Sequence, residues 1–278
     1  MSGLFLSFEG GEASGKSVQA RLLSDWLRRQ GREVVLTREP GGTLLAERIR
    51  SLLLHAREIP LIPEAEALLF SAARAQLVQE VIRPALQRGG TVIADRFYDS
   101  TFAYQGYGRG ADVAGLEQVT DFAVGGVRPI QTFLLDVPVS VSLKRSLARR
   151  AQVDQRKRLE AMQRALDAEI RSAYLRVSSR GIDNMSIPDL EKVLQRGLAD
   201  ASRRLTDELA RVRRNTTEHL DRYEVETREF HERLRQGYLR LAGTEPGRIV
   251  VIDGDRDEGI VAADIRESVS DLLVQSRP

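Results

Sequence analysis

The chain contains no cysteine, which excludes disulfides, thiolate-ligated metals and cysteine redox chemistry. Histidine is almost as scarce. His55, His219 and His231 stand far apart and leave zinc without a recognisable ligand set. A metal, if used, is expected to be held by oxygen, as magnesium is. No apolar run approaches the roughly 18 residues that cross a bilayer, and the opening MSGLFLSFEGG has no basic segment ahead of an apolar one, so a soluble, cytoplasmic protein without membrane contact is expected. Lysine is rare as well: of 42 Lys+Arg residues only Lys16, Lys144, Lys157 and Lys192 are lysine. The arginines that fill the rest favour planar, bidentate contacts to phosphate and carboxylate, though a compositional bias accounts for them equally well. What remains is an ordinary globular composition, 278 residues with 42% hydrophobic, 29% charged and net charge +2, long enough for one large domain with an elaboration.

Five short apolar runs read as buried strands: LFLSF (4–8), EVVLT (33–37), TVIAD (91–95), TFLLDV (132–137) and RIVVID (248–253). Helical patterns lie between them, such as Leu22, Leu23, Trp26 and Leu27, then Leu68, Leu69, Leu77, Val81 and Ile82. This alternation predicts an α/β fold whose parallel sheet is covered by helices on both faces. Residues 151–220 break it. Two apolar stripes, Leu159, Met162, Leu166, Ile170 and Tyr174, then Leu190, Leu194, Leu198, Ala201, Leu205, Leu209 and Val212, predict a helical hairpin inserted into a core made of 1–150 and 221–278. Ser186 as N-cap, Pro188 in the first turn and Asp189 mark the start of the second helix. The stripes are expected to pack on each other. A protein partner or self-association through 151–220 would use the same faces, and nucleic acid fits poorly because acidic residues are interspersed and aromatics are few.

The chemistry begins at FLSFEGGEASGKS. Gly10, Gly15, Lys16 and Ser17 match G-x-x-x-x-G-K-[ST], and the match falls between a strand and an amphipathic helix, where such a loop works. Bare backbone from Gly10 through Gly11, Glu12, Ala13, Ser14 and Gly15 would wrap the phosphates of ATP, Lys16 would reach the β- and γ-phosphates, and Ser17 would coordinate magnesium. TREPGGT (37–43) follows the second strand and carries Arg38 beside the stiff Pro40. ADRFYDSTFAYQGYGRG (94–110) follows the third, with Asp95 and Arg96 at the strand end. Asp95 would help hold hydrated magnesium, while Arg38 and Arg96 would clamp the phosphate of an acceptor.

The set FEGGEASGKS, TREPGGT, ALLFSAARAQ (67–76), DRFYDSTFAYQG (95–106), LLDVPVSVSLKR (134–145) and DRYEVETREFHERLRQGYLRLA (221–242), in that order, resembles thymidylate kinase of the bacterial type. The resemblance covers nearly all of the chain except 151–220. It implies the nucleoside monophosphate kinase fold, phosphorylation of dTMP by ATP with Mg2+ on the route to dTTP, and a homodimer. It also implies that Phe70 stacks on the thymine ring, Arg74 hydrogen-bonds its carbonyl, Thr101 and Gln105 read its polar edge, Tyr104 lies against the deoxyribose, and Glu9 sits near the sugar and the magnesium waters. Arg38 and Arg96 would bind the monophosphate, with Pro40 lining the same site. Because the phosphate loop has no basic residue besides Lys16, the resemblance passes the remaining charge neutralisation to lid arginines, here Arg149, Arg150 and Arg222.

The chain departs from that family in the lid, which is short elsewhere and here is interrupted by about 70 residues. Ala13 and Val18 stand where glycine and threonine are common. Two other readings stay open at this point: a phosphate-loop kinase for another monophosphate, and a non-catalytic scaffold whose core only carries the helical arm.

Overall fold

The computed structural model describes residues 3–56, 58–178, 186–218, 222–223 and 226–275. Strands β1 (Leu4–Glu9), β2 (Val34–Arg38), β3 (Thr91–Asp95), β4 (Gln131–Asp136) and β5 (Ile249–Asp253) form one parallel sheet in the order β2-β3-β1-β4-β5. All five expected runs are strands, displaced by no more than one residue at either end. Strand period explains why the runs are apolar throughout. β1 sends Leu4, Leu6 and Phe8 to one face, where they meet Leu23 and Leu27 of helix α1 (Lys16–Arg29) and Ile265 of the C-terminal helix. Phe5 goes to the other face and meets Leu53, Leu77 and Phe97.

Between β2 and β3 lie α2 (Leu44–His55), capped by the Thr43 hydroxyl accepting from the Ala46 amide at 3.1 Å, then α3 (Pro63–Leu77) and α4 (Arg83–Gln87), joined by a π-helical turn at Val78–Ile82. After β3 come α5 (Tyr98–Thr101), a second π-helical turn (Phe102–Gly108) and α6 (Val113–Val124). Neither π turn is foreseen by a 3.6-residue period, and the second carries Tyr104 and Gln105. The strand register brings the carboxyl ends together: Asp95 lies opposite both Phe8 and Arg38, and Glu9 follows Phe8. That edge is where an open parallel sheet holds its ligands.

The chain divides into two compact units, Met1–Ser146 with Asp221–Pro278, and Leu147–Leu220. Helix α7 (Val139–Ser178) runs from the first into the second, where α8 (Ile187–Glu218) joins it; α9 (Arg228–Thr244) and α10 (Glu258–Gln275) complete the first. Ser186 does precede α8, but its hydroxyl binds the Asp189 carboxylate at 2.6 Å instead of a backbone amide.

The packing expected for the first arm helix is corrected. Leu159, Met162, Leu166 and Ile170 are between 45% and 59% exposed, while Ala161, Ala165 and Glu169 are buried. The face turned to α8 is thus about 100° around the helix from the leucine stripe. Alanines allow the two backbones to approach, and the pair is flanked by Arg164–Glu208 at 3.3 Å and Arg204–Glu169 at 4.0 Å. On α8, Leu205 and Leu209 are half-buried and Gly197 is buried. The side chains of Tyr174, Leu190, Leu194, Leu198 and Val212 lie outside the described residues.

Candidate active site

The loop from Gly10 to Gly15 joins β1 to α1. Gly10 has φ 139°, and a β-carbon there would lie 2.5 Å from the Leu135 carbonyl oxygen, so no side chain fits. Gly15 has φ 98° and opens α1 without a side-chain cap, leaving the first amides of the helix directed at whatever the loop encloses. Ala13 adopts φ 52°, a left-handed conformation that glycine tolerates better. Lys16 is buried inside the loop and donates to the Gly11 carbonyl at 2.6 Å and the Ser14 hydroxyl at 3.2 Å. Burial, with Arg96 nearby, pushes its ammonium down to about 8. The Ser17 hydroxyl donates to the Asp95 carboxylate, so a hydroxyl oxygen and a carboxylate meet beneath the loop.

Arg96 stands at the end of β3 with φ 72°. One guanidinium nitrogen donates to the Gly10 carbonyl (2.9 Å), the Ser100 hydroxyl (3.2 Å) and the Tyr238 hydroxyl (3.2 Å); the other donates to Glu12 (2.7 Å) and the Tyr104 hydroxyl (2.9 Å). Behind it the buried Glu9 accepts from the Phe97 amide (2.7 Å), Ser100 (2.6 Å) and Tyr238 (2.9 Å). Burial, reinforced by Asp99, pushes the Glu9 carboxyl up to about 7 against the pull of Arg96. Burial also raises the hydroxyls of Tyr104 and Tyr238 well above the ordinary phenol range, keeping both neutral donors. Arg38 lies opposite Asp95 in the sheet but is half-exposed and bound to both oxygens of Glu47 at 3.1 Å. The Pro40 carbonyl accepts from Arg50 at 2.8 Å.

A third group lines the space between α3 and the π turn after α5. Arg74 is almost wholly buried; it donates to Glu39 at 2.9 Å and to the Thr101 hydroxyl at 2.9 Å, while its Nη1 has no partner among the described residues. Burial pushes Glu39 up to about 7 despite the pull of Arg74. Phe70 lies 6.4 Å from the ring of Tyr223, and Tyr223 meets Tyr104 edge-on at 5.0 Å. Gln105 donates to Glu66 and to Tyr223.

The structure therefore brings Glu9, Glu12, Lys16, Ser17, Asp95, Arg96 and Tyr104 into one connected cluster, with Arg74, Thr101 and Gln105 beside Phe70 as a second. Arg222 stands apart from the loop cluster; it donates to Glu66, which also accepts from Gln105, at 3.2 Å and to the carbonyls of Ala56 and Ile59 at 3.0 and 2.9 Å. Arg149 and Arg150 lie on α7 within the unit Leu147–Leu220. Sequence reasoning missed Glu39, Glu66, Tyr223 and Tyr238. Glu39, Tyr223 and Tyr238 stood inside quoted motifs, but nothing in spacing alone says that their polar atoms turn inward.

Comparison with known proteins gives a consistent result. The thymidylate kinase family model matches residues 8–195. The chain is similar to the thymidylate kinase of Herpetosiphon aurantiacus, 40% identical over 271 residues that cover 98% of this chain and 93% of the relative. It is similar also to that of Citrifermentans bemidjiense, 37% identical over 274 residues covering 97% and 94%. The crystal structure of thymidylate kinase from Ehrlichia chaffeensis matches with a TM-score of 0.59 at 26% identity, covering 97% of this chain and 99% of that one.

Proposed function

The chain belongs to the thymidylate kinase family, and from that premise we propose that it transfers the γ-phosphoryl group of ATP to the phosphate of dTMP, giving dTDP and ADP on the way to dTTP. The observation that carries the reading is the wall shared by the two phosphate sites: Arg96 donates both to the Gly10 carbonyl of the phosphate loop and to Glu12 within it. Donor and acceptor anions held on either side of that wall would lie in line for transfer.

In this reaction an acceptor oxygen attacks phosphorus and the bond to the β–γ bridging oxygen breaks. The acceptor phosphate is already anionic near neutral pH, so no strong general base is required. Lys16 neutralises the donor phosphates. Its charged form, weakened by burial, would be restored by the anion it meets. Arg96, anchored by five acceptors, orients the acceptor phosphate, and Arg38 would join by releasing Glu47. Arg149 and Arg150 are proposed as lid arginines; Arg222 would serve in that role only by leaving Glu66.

The oxygen pair of Ser17 and Asp95 suits magnesium. Among the described residues no group of three or more His, Asp or Glu could hold a metal alone, so the ion is expected to come with the nucleotide and keep water ligands. Bound there, it would supply charge neutralisation between the β- and γ-phosphates. In the second cluster, Phe70 would stack on thymine, the unpartnered Nη1 of Arg74 would donate to its carbonyl, Thr101 and Gln105 would read its edge, and Tyr104 would lie against the sugar with Glu9 nearby.

A homodimer is proposed through α3 and α6, where Leu68 and the 91%-exposed Phe122 leave apolar surface for a second copy. No helix among the described residues is long and apolar enough to cross a membrane, and a cytoplasmic location is proposed. Residues 151–220 are read as an inserted arm with accessory contacts. The two other readings, a kinase for another monophosphate and a non-catalytic scaffold, find less support in the comparisons. The test is ADP release with ATP, Mg2+ and dTMP. Turnover that requires dTMP and disappears on chelation is expected; ADP release no faster than without acceptor would overturn the proposal.

A further inference from the structure

Gln105 is buried in the π-helical turn that follows α5. Its amide nitrogen donates to Oε2 of Glu66 at 3.2 Å and to the Tyr223 hydroxyl at 3.1 Å, which commits both of its hydrogens. Glu66, wholly buried in α3, decides the sense of that amide. A carboxylate only accepts, and the reversed amide would set two oxygens against each other in a buried place.

Glu66 is itself held firmly. Arg109 lies 3.1 Å from its Oε2, Arg222 donates to Oε1 at 3.2 Å, and the Tyr223 hydroxyl donates to Oε2 at 3.2 Å. Two guanidiniums offset the charge that burial would otherwise make costly. Arg109 also stacks over Tyr223 at 5.4 Å, so the phenol ring is fixed together with the carboxylate. Everything Gln105 has left to offer a further partner is its carbonyl oxygen, an acceptor. Arg74, across the same space, has only donors and one of them unpartnered.

We propose that Glu66 is a positioning residue that sets the base preference of the acceptor pocket, by holding Gln105 with its amide nitrogen inward and its carbonyl toward the base. The inference rests on the reading of Gln105 as a contact to the base edge. A pyrimidine with a ring N–H beside a carbonyl, as in thymine and uracil, meets an acceptor at Gln105 and a donor at Arg74. Cytosine, with a ring acceptor beside an amino group, meets acceptor against acceptor and donor against donor. Arg222 and Tyr223, which follow the arm in sequence and belong to the core unit, complete the support.

The test compares kcat/KM for dTMP, dUMP and dCMP in the full chain and in Glu66→Gln, Tyr223→Phe and Gln105→Leu. An amide at position 66 both donates and accepts and so frees Gln105 to turn. In Glu66→Gln the dTMP to dCMP ratio is expected to fall by about tenfold or more, with the dTMP to dUMP ratio held within about twofold, since thymine and uracil share the edge in question. Tyr223→Phe keeps the ring and Glu66 but removes one acceptor from the amide nitrogen, and should move the same ratio by about threefold. A merely structural loss lowers all three substrates together. If Glu66→Gln folds and its ratio stays unchanged while Gln105→Leu collapses it, the proposal fails; if Glu66→Gln does not fold, Tyr223→Phe decides by the same criterion. A ratio unmoved by Gln105→Leu removes the base-edge reading of Gln105 and this inference with it.

Discussion

The core and the arm bury their helices by different rules. In the core, large apolar side chains such as Leu27, Leu77 and Phe133 disappear from solvent on both faces of the sheet, and the polar groups taken with them are bound in detail. In the arm, the first helix buries Ala161 and Ala165 and leaves its leucines half in water. Periodicity reports that a helix has an apolar stripe. It does not report whether that stripe or a neighbouring row of small residues faces the partner, because close backbone approach competes with the burial of large side chains.

The sharpest way to press this difference is to remove one lysine from each region. Lys16→Ala should lower kcat by about a hundredfold or more, the scale for losing a group aimed at transition-state charge. Lys157→Ala in the arm should leave kcat within about twofold. Steady-state ADP release measures both, and equal effects would erase the distinction.

Stability offers the next contrast. Leu27→Ala should cost about 2–5 kcal/mol, because the site is sealed by neighbours that collapse only partly. Leu166→Ala, at a position 54% exposed, should change stability by no more than about 0.5 kcal/mol. Urea unfolding of the two variants provides the comparison, and a large loss in Leu166→Ala would mean that the stripe is covered in solution.

Buried charge in the core also predicts a pH dependence. Glu9 has its folded pKa pushed up to about 7 from an ordinary 4.5, so the native state holds a proton that the unfolded chain has released. Its contribution is complete below about pH 4.5 and is lost as pH rises toward 7, by roughly 3 kcal/mol at most. Melting temperature followed across this window should therefore fall less steeply in Glu9→Gln than in the native chain. An unchanged slope would remove Glu9 from the account.

The smallest effect expected is a gain. Ala13 occupies a left-handed conformation at φ 52°, and Ala13→Gly should relieve about 1–2 kcal/mol of strain while returning part of it as unfolded-chain entropy. A rise in melting temperature of about one or two degrees is the outcome to look for.

Much of the core was legible in the sequence because two independent signals agreed there. The five apolar runs gave the strands, and the phosphate loop required a strand before it and a helix after it. Lys16 and Ser17 were read from that agreement, and Asp95 and Arg96 from their place at the end of the third strand; the structure places the four together. The supporting residues were harder. Glu66 lies two positions before Leu68 in what reads as a charged helix start, yet it is buried while Leu68 is exposed. Only the fold, which closes Arg109, Arg222 and Tyr223 around it, makes that burial affordable. The π-helical turn that carries Gln105 was illegible for a related reason: it packs against α9, and a local 3.6-residue period reports neither the turn nor the contact.

The proposal that separates the two regions is that kinase activity resides in the core and that residues 151–220 are accessory to it. Its most direct test is ADP release from ATP, Mg2+ and dTMP by the intact chain and by a chain in which 151–220 is replaced with a short loop. Turnover is expected in both, within about tenfold of each other, since Lys16, Ser17, Asp95, Arg96 and the residues proposed to hold the base all lie outside 151–220. A replaced chain that folds and binds dTMP yet releases no ADP would contradict it and make the arm part of the catalytic machinery.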